Sequence, residues 1–122
     1  MILADTVVWI DLLRGRNPVM RALLQAGQIA MHPLIVAELA LGSLSNRKKT
    51  LSDLDSLTTV KVASLAEVRS MIEAHKLYSR GIGLTDAHLV AACLLSPGTK
   101  LWTRDAALRR VAASLGIDAQ LP

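Results

Sequence analysis

The chain has no phenylalanine, and Trp9, Trp102 and Tyr78 are its only aromatic residues. Its interior must therefore be built from Leu, Ile, Val and Ala, and platforms of exposed rings for stacking single-stranded bases are excluded. The one cysteine, Cys93, leaves no partner for an internal disulfide. Set in an apolar helical pattern, it reads as a reduced, buried thiol, as expected of a cytoplasmic protein. Long uninterrupted apolar runs are also missing. Asp5 comes too early for a secretory signal, and Asp86 and His88 break the longest apolar stretch near the C-terminus. Neither a signal peptide nor a membrane span is expected. No linker, low-complexity segment or internal repeat divides the chain.

What is present is a hydrophobic share of 52% in 122 residues, enough for one real core and too much for disorder. A single domain over residues 1–122 is expected. Fourteen basic and ten acidic residues give a net charge of +4, compatible with a nucleic-acid partner without demonstrating one.

Met1–Ala4 has strand length, Thr6–Arg14 reads as a helix closed by Gly15, and Asn17-Pro18 caps a helix to about Ala26. Gln28–Met31 is a second strand, Pro33 opens an apolar helix, and Ser45–Leu57 is a polar amphipathic one. Thr58–Ala63 alternates and is β-branched, so it reads as a third strand. Ser64 and Glu67 form a capping box for a helix to about Arg80. After the Gly81-Ile82-Gly83 break come a helix over Thr85–Leu95, a strand over Lys100–Thr103 and a helix over Asp105–Leu115; Asp118–Leu121 is a candidate fifth strand. Strands alternating with helices predict an α/β fold: a central parallel sheet of four or five strands with helices on both faces.

In such a sheet, ligands bind at the carboxyl ends of the strands. Asp5 ends the first strand, and Asp105 follows the Lys100–Thr103 strand by two residues. Glu38 sits in the second turn of the helix after the second strand, and Asp86 in the first turn after the glycine break. Each has an ordinary reading: Asp5, Asp86 and Asp105 as helix N-terminal acids, Asp105 also as an ion-pair partner of Arg109. Glu38 has the weakest ordinary reading, because PLIVAELAL surrounds it with apolar residues. An isolated buried carboxylate is costly unless paired, protonated or metal-bound. Several carboxylates in one crevice repel, and a divalent cation reverses that balance; all-oxygen ligation suits Mg²⁺ or Mn²⁺. Sites of this kind act on phosphates, neutralising charge and activating water.

Four segments resemble the signature blocks of PIN-domain nucleases: Asp5-Thr6-Val7-Val8-Trp9-Ile10-Asp11, Ala37-Glu38-Leu39 with Gly42, Thr85-Asp86-Ala87 with Ala91-Ala92, and Thr103-Arg104-Asp105. Order, spacing and length are most similar to VapC-type toxins of bacterial toxin–antitoxin pairs. The resemblance implies a Mg²⁺-dependent endoribonuclease, often dimeric, inhibited by a cognate antitoxin that fills the active-site groove. It matches Asp5, Glu38, Asp86 and Asp105 to the acidic metal-binding quartet, and Thr6 and Thr103 to the hydroxyls beside it. Leu108 departs from the pattern, standing where many members carry an aromatic.

Arg104, Arg109 and Arg110 flank the expected site as candidate phosphate or RNA contacts. Asp11 is expected to pair with Arg14, and Arg47-Lys48-Lys49 to form a solvated face. His88 points away from Asp86 on the helix, His32 and His75 lack metal-ligand spacing, and Cys93 lacks a nucleophile's partners. A receiver-type phosphoacceptor or a haloacid-dehalogenase-type phosphatase would want acids where Thr6 and Val7 stand. The alternative from another class is a catalytically silent PIN-like module that binds protein or RNA.

Overall fold

Short apolar runs at the start of the chain, near residue 29 and near residue 100 become strands in the computed structural model, which describes residues 1–122. They are β1 (Ile2–Ala4), β2 (Ile29–Ala30) and β3 (Lys100–Trp102), all parallel in the order β2-β1-β3. Ile2 pairs with Ile29 on one side and Lys100 on the other. Consecutive strand residues point to opposite faces. Leu3, Ala4, Leu101 and Trp102 are nonetheless all buried, so both faces are covered. Coverage on both sides explains why the strands read as continuous apolar runs.

Seven helices supply the cover: α1 (Thr6–Leu13), α2 (Pro18–Gln25), α3 (Pro33–Ala40), α4 (Arg47–Asp55), α5 (Leu65–Ala74), α6 (Leu84–Leu95) and α7 (Ala106–Ser114). Helix α1 packs on α2 and α3, α3 on α4, α5 on α6, and α6 on β3. In the absence of Phe, Trp9 and Trp102 are the largest fully buried side chains, set among aliphatics such as Ile35, Leu89 and Leu108.

The sheet has three strands, not the expected four or five. Thr58–Ala63 contributes only a bridge from Thr59 to Met31, where the Met31 N–H donates to Thr58 O at 2.8 Å. Two residues on, the Lys61 N–H donates instead to Ser96 Oγ at 3.0 Å, which takes the chain off the sheet. Asp118–Leu121 likewise contributes one bridge, Asp118 to Leu101. Asp118 Oδ1 then accepts from the Gln120 N–H at 3.1 Å and Gln120 turns left-handed, φ 59°, so pairing stops. Both segments lie where outer parallel strands belong, but local side-chain bonds outcompete the ladder.

Helix α5 also ends at Ala74 rather than near Arg80. Lys76 adopts φ 53°, and the Leu77 N–H donates back to Ile72 O at 2.9 Å, a Schellman-type closure that buries Leu77. Burial of Leu77 outweighs continued helix.

Candidate active site

Chain direction fixes where a site can form. From β1 the chain leads through α1 and α2 to β2 on one side, whereas after β3 it leads to the Asp118 bridge on the other. The crevice at such a reversal, outside the carboxyl ends of the strands, is the expected ligand position. Here it lies between the ends of β1 and β3, where Asp5 and Thr103 stand.

Asp5 is the N-cap of α1. Its Oδ1 accepts from the Thr6 N–H at 2.6 Å, and its Oδ2 accepts from Thr103 Oγ1 at 2.8 Å. The latter bond crosses the crevice. Thr103 is fully buried, and its hydroxyl also accepts from the Asp105 N–H at 3.1 Å. Asp105 caps α7, with Oδ1 accepting from the Leu108 N–H at 2.8 Å. Glu38 reaches the same edge from the second turn of α3, where its Oε2 accepts from Thr6 Oγ1 at 2.5 Å. Asp86 lies in the first turn of α6, and its Oδ2 accepts from the Gly83 N–H at 3.1 Å.

None of the four acids forms an ion pair with Lys or Arg. Burial pushes the Asp86 carboxyl above the ordinary carboxylate range; its bond from Gly83 opposes this, and the charges of Asp5, Asp105 and Glu38 add to it. The four therefore share one electrostatic neighbourhood. They are splayed within it: no group of three or more His, Cys, Asp or Glu side chains stands close enough to hold one metal ion. Each is held in place by its own local hydrogen bonds.

The family described as PIN domain matches residues 2–114. The chain belongs to the PIN-domain family. It is 38% identical over 117 residues to Ribonuclease VapC32 of Mycobacterium tuberculosis, in each of two strains, across 96% of this chain and 94% of the relative. Its backbone is similar to a chain of a toxin-antitoxin complex from Klebsiella pneumoniae, with a TM-score of 0.64 at 23% identity, covering 86% of this chain and 87% of that one. At that identity the likeness is one of fold.

Around the acids of this PIN domain, the arginines take unexpected places. Arg109 does not pair with Asp105: its Nη2 donates to Thr103 O at 2.9 Å and to Leu121 O at 2.8 Å, tying the last residues to the site. Arg104 pairs with Asp11 through Nη1 and donates from Nε to Pro122 O at 3.1 Å. Asp11 thus pairs with Arg104 and, at 3.4 Å, with Arg16 rather than with Arg14. Arg104 beside it holds the Asp11 carboxyl below its ordinary value. Arg110 is exposed and makes no hydrogen bond. Leu108, at the departure from the family pattern, is fully buried in the core.

Sequence reasoning missed the role of His32. It is the N-cap of α3, its Nδ1 accepting from the Leu34 N–H at 3.0 Å, and it is almost wholly buried. His88 faces it, ring centroids 6.2 Å apart at an edge-on angle. Burial, reinforced by His88, lowers the His32 pKa. A His immediately before Pro at a helix start was the available signal, since imidazole can take the place of the usual Asn or Asp cap. Cys93 is buried, and burial pushes its thiol up to about 12, which makes it inert. No helix is long and apolar enough to cross a membrane.

Proposed function

We propose that this PIN domain is a metal-dependent endoribonuclease, the toxin of a toxin–antitoxin pair, in which Asp5, Glu38, Asp86 and Asp105 hold Mg²⁺ or Mn²⁺. The observation that carries the reading is four carboxylates on one sheet edge with no cationic partner, one of them, Asp86, raised above its ordinary value by burial and further by the charges of the other three. The VapC32 relative is named a ribonuclease, and RNA is accordingly the substrate proposed for this chain.

The donor set suits a hard cation. Glu38 Oε1, Asp86 Oδ1 and Asp105 Oδ2 accept no hydrogen bond, while Asp5 and Glu38 each accept from a threonine hydroxyl and from no cation. A bound divalent cation would neutralise these acids, draw them inward, polarise the phosphate and activate water for in-line attack. The chain's own residues prepare that event. Thr103 fixes Asp5 relative to Asp105 across the crevice, and Thr6 fixes Glu38 relative to Asp5. Asp86, whose carboxyl burial and then its acidic neighbours raise above its ordinary value, is an acid whose charged form a bound cation would favour. Arg110, exposed and unpaired, is offered to a substrate phosphate.

In this reading residues 1–122 act as one unit, as a cytoplasmic homodimer restrained by a cognate antitoxin. An antitoxin Arg can pair bidentately with the acids where the metal would otherwise bind. The test is RNA cleavage by purified protein with Mg²⁺, with EDTA, and with the Asp5→Asn variant. Cleavage in Mg²⁺ alone is expected; full-rate cleavage in EDTA or by Asp5→Asn refutes the mechanism. RNA binding without any cleavage would favour the alternative, a catalytically silent binding module.

A further inference from the structure

Glu38 borders a second space. Beside it, between α1 and the segment joining α3 to α4, lies a cavity of about 410 Å³ lined by Ile10, Leu13, Leu39, Arg14 and Asn46 among others. Only four of its eleven lining residues are hydrophobic, and Arg14 and Glu38 are its only charged ones. A groove for an amphipathic helix needs a broader apolar floor than this. The volume falls within the range of small-ligand sites, about 300–1,000 Å³, which suits a nucleotide unit and not a duplex.

The side chains of Arg14 and Asn46, like those of Ser43 and Ser45, make no hydrogen bond or ion pair within the protein. Arg14 is exposed at the end of α1, and the nearby acid, Asp11, is taken by Arg104 and Arg16. Asn46 holds the N-cap position of α4, where an Asn side chain ordinarily accepts from the first helical N–H groups. Here it makes no such bond, and its backbone is left-handed at φ 47°. Arg47 keeps the cavity wall in place by donating to Gly42 O at 3.1 Å and to Ala40 O at 2.5 Å. Beyond Asn46 the surface continues along Lys48, an exposed cation without a partner.

We propose that this cavity seats the RNA strand immediately beside the scissile phosphate, with Arg14 binding a backbone phosphate and Asn46 hydrogen-bonding a base edge. The proposal rests on the ribonuclease reading above. Arg14 then supplies affinity without sequence preference, and Asn46, with a donor and an acceptor in one plane, supplies preference for one base.

The experiment measures binding of a fluorescent, random-sequence single-stranded RNA in EDTA across a salt series, then sequences RNA ends cut in Mg²⁺. Arg14→Ala should weaken binding about tenfold for every sequence and make the salt slope shallower by about 0.7. Asn46→Gly, which keeps the left-handed backbone and deletes the carboxamide, should relax base preference at one position beside the cut. Arg69→Ala, removing an exposed cation on α5, should match wild type in both assays. If wild type cuts RNA while Arg14→Ala and Asn46→Gly bind and cut as it does, the assignment is overturned and the cavity is left to a protein partner. If wild type neither binds nor cuts RNA, the ribonuclease reading fails as well.

Discussion

Replacing Thr103 by Val removes one oxygen and almost no volume, so it isolates what that hydroxyl contributes. The side chain is fully buried, so its hydrogen bonds have no competing water. It donates to Asp5 Oδ2 at 2.8 Å and accepts from the Asp105 N–H at 3.1 Å. A hydrogen bond to a charged group contributes about 1.5–3 kcal/mol and a neutral one about 0.5–1.5 kcal/mol. Asp105 is exposed, so its N–H can find water and the second loss lies at the low end. The net cost is then about 2–3 kcal/mol. At about 2.1 cal/mol/K per residue, unfolding 122 residues carries an entropy near 0.26 kcal/mol/K, so Tm should fall by about 8–12 °C. Calorimetry in EDTA reads this directly. Thr103→Ser should recover most of it, because the hydroxyl returns. RNA cleavage by Thr103→Val should fall about tenfold or more, since Asp5 loses its tie across the crevice. A melt within about 2 °C of wild type, with wild-type cleavage, would refute the positioning role.

Glu38→Gln keeps an acceptor for Thr6 Oγ1 while deleting one of the charges that push Asp86 up. In EDTA at neutral pH it should melt above wild type, gain little from Mg²⁺ and cut no RNA; a melt well below wild type would make Glu38 a structural partner only. Folded Asp86 titrates above its ordinary 3.8, so its contribution to metal-free stability is full below that value and is lost as pH rises through the folded pKa. Mg²⁺ binding to the native state alone should restore it, as melts at neutral pH with and without the ion would show. His32 runs the other way. Its folded pKa lies below 6.5, so the native state binds fewer protons and stability should fall as pH drops from there toward the folded value. His32→Asn keeps the cap on α3 and should flatten that slope between about pH 6.5 and 5 in denaturant titrations. An unchanged slope would assign the pH dependence elsewhere.

Elements with a strong local signal were legible in the sequence. Asn17 before Pro18 and the Ser64–Glu67 box sit where caps were expected, with Asn17 Oδ1 accepting from the Met20 N–H at 3.0 Å. The outer strands were misjudged because TTVKVA has strand composition but a competing partner, Ser96 Oγ, that no local pattern reveals. The early end of α5 had the same cause: Leu77 is buried by tertiary contacts that a helical period cannot foresee. The arginines were misplaced for a related reason. The i,i+4 rule pairs Arg109 with Asp105, but the nearby Thr103 and Leu121 carbonyls offered partly buried acceptors, and those took it.

At the acids, the competing readings of the sequence turn out to be compatible. Asp5 and Asp105 are N-caps and Asp86 bonds back to the N–H of Gly83, the N-cap of α6, which are the ordinary roles such residues fill. In a parallel α/β sheet, however, every helix that follows a strand begins at the carboxyl edge. The capping acids of α1 after β1 and of α7 after β3 are thereby gathered at the same crevice, while Asp86 joins them from α6, which follows α5 rather than a strand. The repulsion that remains is visible in Asp86, which has the most burial to overcome. This dual use also decides which substitutions can separate fold from chemistry. Asn caps a helix nearly as well as Asp, whereas Ala costs about 1 kcal/mol at such a position. Asp105 caps through Oδ1 alone, so Asp105→Asn removes charge and leaves its helix start intact, and lost cleavage there can be assigned to the site rather than to a frayed helix. Asp5 accepts with both oxygens, so Asp5→Asn needs a melt beside its cleavage assay.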